Sequence, residues 1–478
     1  MQLPHRPGQA FRDLYAWSSV HFRRIGFTLV LASSSLPGCD RPAPPPTVVI
    51  GDSSGIPILR LDRSPNEIAK DYFRSKTLRP TFDFPGPLGT EGRIGGALEQ
   101  SSDRFVYLDR LTRHLVTVDS TGSLVGNVGF QAPTAWPGEF PVAFVSVGRR
   151  LVIWNDDSVN ALIVTDSAGS ALLALPRPVA GDWHAFVYRH PVSLEDAPIQ
   201  QNAEALDRRM VPFDDSSFLL LLQPNERQLF RQGIAVRLDT VRAQALRVFL
   251  TPPRTIVQAT LPGFTVIHLA PNSSESQRFA TPLFAARPLV AAGRDWYAVT
   301  SGRQSGIEVF HPDGRPLARI EWPHRILSVT DKDRSNATDW WIRYTNEVDA
   351  GFHGRWAAAS RQDRSEWKAQ EQDALSFSES FAEIAGMLGD RSCLWLQGYS
   401  SEDNPTGSSS RFLVLNLAER RIESLVVIPQ GFRVWSIGPS GILASHRANG
   451  REYLTRFAHG LDACGTALPG ARAAGSPM

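Results

Sequence analysis

Side chains able to do chemistry are plentiful in this sequence, but few stand in a spacing that a reaction requires. There is no H-E-x-x-H, no C-x-x-C pair and no phosphate-binding G-x-x-x-x-G-K-[ST]. The stretch "DKDRSNATDWW", Asp331 to Trp341, opens with the oxygens of a calcium loop. Its sixth position, which needs glycine, is Asn336, and its twelfth, which needs glutamate, is Ile342. It reads as a solvated loop. "WNDDSVN", Trp154 to Asn160, pairs two acids but joins two strand-like runs and reads as a hairpin turn. The eleven histidines are dispersed, and nothing fixes His184 and His190 as ligands although they share one segment. Of three cysteines, Cys393 and Cys464 are read either as a disulfide or as two buried thiols. Only Cys39 stands in a context that names its chemistry.

That context is "HFRRIGFTLVLASSSLPGCD", His21 to Asp40. The apolar stretch from Ile25 to Leu36 is short of the about 20 residues a spanning helix needs, and Ser33, Ser34 and Ser35 dilute it. A basic pair (Arg23, Arg24), a short apolar core and small residues before a cut form the pattern of a secretory leader. The final Leu36-Pro37-Gly38-Cys39 resembles the lipobox of bacterial lipoproteins, with Pro37 where that family has a small residue. The resemblance implies a diacylglycerol on Cys39, which becomes the new N-terminus. Asp40 resembles the inner-membrane retention signal of some diderm bacteria. Residues 1–20 are long and mixed for an n-region, and Val20 fits a translation start misassigned upstream. "RPAPPPT", Arg41 to Thr47, is an extended, semi-rigid polyproline spacer. The expected organisation is a leader over 1–38, a tether over 39–47, a folded domain over 48–465 and a disordered tail over 466–478. The expected location is the cell envelope: extracytoplasmic, lipid-anchored, on the periplasmic side of the inner or outer membrane.

Composition narrows the partners. Residues 1–38 hold four arginines and one acid, so without them the net charge falls from +2 to −1. No electrostatic case for nucleic acid remains. The chain has four lysines among its 50 basic residues, a skew of the kind a GC-rich genome produces. Single arginines therefore carry little meaning as phosphate clamps. A 42% hydrophobic and 21% charged composition describes a globular protein with a sizeable core.

The elements that must position any site are repeated β units. Six times an apolar strand, a short turn and further strands recur: Ile94–Gly129, Phe144–Leu175, Ser216–Leu250, Pro288–Trp322, Glu383–Ile428 and Arg433–Gly460. Val116 and Val118 alternate with Thr117 and Asp119, the period of a half-buried strand. Asp119-x-x-Gly122 is turn chemistry. Such sheets must stack on neighbours, and ring closure removes the exposed ends, so the expected fold is all-β, a six-bladed β-propeller with some helix in two inter-blade insertions. Two β-sandwiches are the alternative. "TVVI" (Thr47 to Ile50) or "IPILRL" (Ile56 to Leu61) is expected to complete the last blade.

"AWPGEF", Ala135 to Phe140, resembles an element of bacterial six-bladed propellers of the NHL-like, TolB-like group, as do "CLWLQGY" before "RFLVLN" and "GILASH" before "REYLTRF". The resemblance spans roughly residues 47–460. It implies a turn at Pro137-Gly138 with Phe140 between blades, and, through related lactonases and hydrolases, a possible calcium in the central channel. No cofactor is identified by residue. The two insertions, Arg177 to Phe213 and His324 to Phe381, supply the candidate binding surface: Trp183, His184, Tyr188, Trp340, Trp341 and Trp356. Helix is expected in "LEDAPIQQNAEALDRR" and around "RSEWKAQEQDAL". Trp154, Trp296 and Trp395 sit in strands and are expected in blade cores. The functional expectation is a tethered binding or scaffolding module for a protein or small ligand. The alternatives are an extracytoplasmic metal-dependent hydrolase or lyase, and a sensor or accessory subunit of a transport or assembly complex; no catalytic residue is assigned. A leader starting at Val20 predicts that no tryptic peptide from residues 1–19 occurs in the native protein. Detecting one by mass spectrometry refutes that start.

Overall fold

A computed structural model describes residues 48–71, 75–83, 94–101, 103–109, 114–128, 141–155, 161–166, 171–176, 206–224, 242–262, 267–269, 278–280, 283–339, 377–399, 408–429, 431–438, 441–448, 451–458 and 464. They form a six-bladed β-propeller. Blade one runs from Ile94–Ser101 through Arg104–Asp109 and His114–Asp119 to Leu124–Val128, innermost strand first. Blade two spans Pro141–Val147 to Ala171–Pro176, and blade three Leu206–Asp214 to Pro253–Pro262. Blade four spans Leu289–Gly293 to Pro316–Glu321, blade five Gly386–Asp390 to Arg421–Val427, and blade six begins at Phe432–Gly438. The innermost strands follow one another around a closed ring, blade six meeting blade one.

Alternation of side chains along each strand builds that ring. In blade one, Phe105 and Tyr107 pack with Leu443 and Leu454 of blade six, while Val106 and Leu108 pack with Leu151 and Ile153 of blade two. Each of the six blade junctions has its own buried cluster of this kind. Fully burying one such side chain is worth about 1.5–3 kcal/mol. The tight turns follow their sequence signals. Asp119 Oδ1 accepts from the N–H groups of Thr121 and Ser123, and Gly122 takes φ 79°.

The N-terminal segment closes the ring, but not with the strand expected. Val48–Ser53 and Ile56–Leu61 form a hairpin that extends blade four, Ile56–Leu61 running parallel to Pro316–Glu321. Ser75–Thr77 adds a parallel strand to blade five. Pro80–Asp83 completes blade six, antiparallel to Arg451–Phe457. Apolarity guided the expectation, and it found the hairpin whose Leu59 and Leu61 are buried between blades four and five. The closing strand "PTFD" is short and carries little of that signal.

Two further readings change, and one left open is settled. Leu206–Arg209, expected in a helix, belongs to the innermost strand of blade three, paired residue for residue with the strand Ser217–Pro224. Residues 331–339 form a helix and not a solvated loop. Thr330 caps it reciprocally: its N–H donates to Asp333 Oδ2 at 2.8 Å, and the Asp333 N–H to Thr330 Oγ1 at 3.3 Å. Cys393 and Cys464 are a disulfide with Cα atoms 5.2 Å apart, which ties the segment after the last strand back onto blade five. A cross-link 71 residues apart removes about 4 kcal/mol of chain entropy from the unfolded state in the loop-closure account. Trp296 and Trp395 are fully buried, as expected.

Closure by Pro80–Asp83 makes two truncations behave differently. A chain starting at residue 63 should keep a cooperative thermal transition at a lower Tm. A chain starting at residue 84 should lose cooperativity, and equal melts for the two would refute this closure.

Candidate binding face

Antiparallel strands alternate their connections between the two ends of a blade. The second-to-third-strand turns and the crossovers to the next blade therefore share one face, and the remaining turns share the other. Pro176 and Leu206, which flank the first insertion, stand at the former face, as do Glu321 and Gly386, which flank the second. Both insertions leave from and return to that face. The opposite face is built from tight turns such as residues 119–123 and 311–315.

Blades four and five supply its best-defined chemistry. Trp322 follows the outer strand of blade four, Ser305 lies in the turn before that blade's third strand, and Glu383 leads into blade five. The Glu383 side chain is 7% exposed. It accepts from the Trp322 indole N–H at 3.1 Å and from the Ser305 hydroxyl at 3.4 Å, and it meets His324 Nδ1 at 2.6 Å. A carboxylate acceptor places the imidazole proton on Nδ1 and leaves Nε2 as the basic nitrogen. The His324 side chain is 60% exposed. Ser305 Oγ lies 3.0 Å from the same Nδ1, so it is not presented to Nε2 as the nucleophile of a Ser-His-acid triad is. The cluster joins the two ends of the second insertion and leaves one imidazole open to solvent.

Beside it, the helix Pro65–Asp71 is fixed to the end of blade five. Ser64 and Glu67 form a capping box: Ser64 N–H donates to Glu67 Oε2 at 3.1 Å, and Glu67 N–H to Ser64 Oγ at 3.3 Å. Arg325 pairs with the same carboxylate. Asn66 donates to the Ala382 carbonyl and accepts from the Tyr399 N–H at 2.7 Å. Burial alone raises the Glu67 pKa, but the Ser64 hydrogen bonds and the Arg325 guanidinium outweigh it and hold the carboxyl below its ordinary 4.5. The base of the second insertion is a packed stalk. Val329 N–H donates to the Glu379 carbonyl, Phe381 N–H to Leu327 and Ala382 N–H to Phe284. Phe284, Val329 and Ala337 form a buried cluster there, with Phe377, Phe381 and Tyr399 against it.

Every residue expected to carry function (Cys39, Trp183, His184, Tyr188, Trp340, Trp341 and Trp356) lies outside the described residues, as do "AWPGEF" and the stretch around "RSEWKAQEQDAL". The described residues gather others. Glu383 and His324 stand 59 positions apart with no local signal, whereas Ser64-x-x-Glu67 and Thr330-x-x-Asp333 are legible cap spacings. Gly51–Gly55 spells G-x-S-x-G, yet it forms a β-hairpin turn, with Gly55 N–H on Asp52 Oδ1, and not the strand-to-helix elbow of a nucleophilic serine. Among the described residues no three His, Cys, Asp or Glu side chains converge as metal ligands.

The capping box has a pH signature. Because the folded pKa of Glu67 is lowered, its contribution is complete above about pH 4.5 and is lost as pH falls through the lowered value. Glu67→Gln should reduce stability at pH 7 by about 0.5–1 kcal/mol and flatten the acid side of the Tm profile. An acid limb as steep as the wild type's refutes this.

No family model matches the sequence, and no curated protein matches it. Solved structures resemble the fold. A member of the DUF4221 family from Bacteroides vulgatus is 8% identical over 80% of this chain and 98% of that one, with a TM-score of 0.38. A regucalcin, a calcium-binding protein from Agrobacterium tumefaciens, is 10% identical over 82% and 97%, with a TM-score of 0.37. A streptogramin B lyase is 9% identical over 79% and 97%, with a TM-score of 0.35. At such scores these likenesses carry no functional argument, and the assignment of the fold rests on the sheet topology.

Proposed function

We propose that this chain is a membrane-tethered, extracytoplasmic β-propeller that serves as a binding or scaffolding module for a protein or small-molecule partner. Cys39 carries the lipid, residues 41–47 link it to the domain, and the face that bears both insertions is the recognition surface. The observation that carries this reading is the convergence of both insertions on one face of a rigid ring. The Cys393–Cys464 disulfide supports an oxidising compartment, as an exported protein requires. No helix among the described residues is long and apolar enough to cross a membrane. Two or three acyl chains suffice for stable anchoring.

The expected outcomes are specific. Cys39→Ala should abolish palmitate incorporation and release the protein from the floated membrane fraction. Affinity capture from solubilised envelopes should yield a partner that is lost when Trp340, Trp341 and Trp356 are replaced by alanine. Unchanged capture by that variant sinks the assignment of the surface. Stoichiometric calcium in the purified protein would instead point to a metal-dependent hydrolase or lyase.

A further inference from the structure

The strand directions fix where the tether meets the ring. Pro316–Glu321 runs toward the insertion-bearing face, because the crossover to blade five leaves from Glu321. Ile56–Leu61 is parallel to it and ends at the same face, where the helix Pro65–Asp71 begins. Val48–Ser53 is antiparallel, with Val48 opposite Leu61. The chain therefore enters the fold at the insertion-bearing end of blade four, on its outermost strand. Val48 lies nine positions after Cys39, and a polyproline-like spacer of that length reaches about 28 Å.

That end of blade four also has the surface character of a membrane interface. Val49 is 60% exposed, Ile50 55% and Ile326 67%. Arg60 stands opposite Val49 on the adjoining strand, Arg325 directly precedes Ile326, and Arg60, Arg319 and Arg325 are all exposed; Val49 and Ile50 point to opposite faces of the sheet near its end. Arg60 and Arg319 share the carboxylate of Glu321. Apolar side chains among arginines, whose stems lie along lipid while the guanidinium meets phosphate, suit the headgroup boundary of a bilayer.

We propose that the lipid bilayer is the partner of this end of blade four. Val49, Ile50 and Ile326 rest at the headgroup level, and the insertion-bearing face turns toward the membrane. The proposal rests on the tethered reading above and deepens it: the module's partner is then one exposed at the membrane surface, within reach of that face.

The test uses the mature lipidated chain in phosphatidylethanolamine–phosphatidylglycerol vesicles. Single cysteines, Val49→Cys, Ile326→Cys and, at the opposite end of blade four, Arg315→Cys, carry an environment-sensitive nitrobenzoxadiazole label. The six-residue strand Pro316–Glu321 separates the two ends by about 17 Å. Labels at 49 and 326 should shift to the blue and lose about half or more of their emission to a lipid spin-labelled near the headgroup, while the label at 315 stays unquenched. A protein that floats with the vesicles but shows no quenching at 49 and 326, or equal quenching at 315, overturns this orientation and leaves the tether standing. A protein that does not float at all overturns the tethered reading and this proposal with it.

Discussion

Everything in this molecule follows from sheets that are apolar on both faces. A strand such as Arg104–Asp109 sends Phe105 and Tyr107 one way and Val106 and Leu108 the other, so neither face tolerates water. Each blade needs two neighbours, and only a closed ring gives every blade both. Where blades converge, the fit is backbone against backbone. A side chain at Gly293 would fall on the Arg391 carbonyl of the next blade, which also accepts the Trp296 indole N–H at 2.6 Å. Glycine there is a condition of closure.

The same rule decided what could be read from the sequence. The six meanders were legible because period-2 apolarity is a local signal repeated many times. Tight turns such as Asp119 to Gly122 were legible because one aspartate and one glycine carry the geometry. The closing strand was not, since Pro80–Asp83 is an outer strand that needs a partner's hydrogen bonds more than a core face. "LDRR", Leu206–Arg209, was misread because its polar residues suit a helix as readily as a strand, and the pairing with Leu221 to Pro224 decides. The Glu383–His324 pair was invisible, because contacts made across a crossover leave no mark in local spacing.

The insertion-bearing face is organised by polar contacts at places where chain segments leave the sheets. Glu383 gathers Trp322, Ser305 and His324, Asn66 bridges Ala382 and Tyr399, and Glu67 gathers Ser64 and Arg325. These contacts hold the ends of the second insertion and one short helix in fixed positions. Both ends of the second insertion are thus fixed to blades four and five.

The N-terminal wrap has a mechanical consequence. Tension on a chain attached ahead of Val48 reaches the hairpin before any other element. Because Val48 pairs with Leu61 at the hairpin's open end, pulling there opens the ladder one rung at a time from Val48 toward Ser53. The strand that closes the ring lies some 30 residues downstream, beyond a helix and a second parallel strand. Force applied ahead of Val48 is therefore met first at the rim of blade four, far along the chain from the strand that closes the ring.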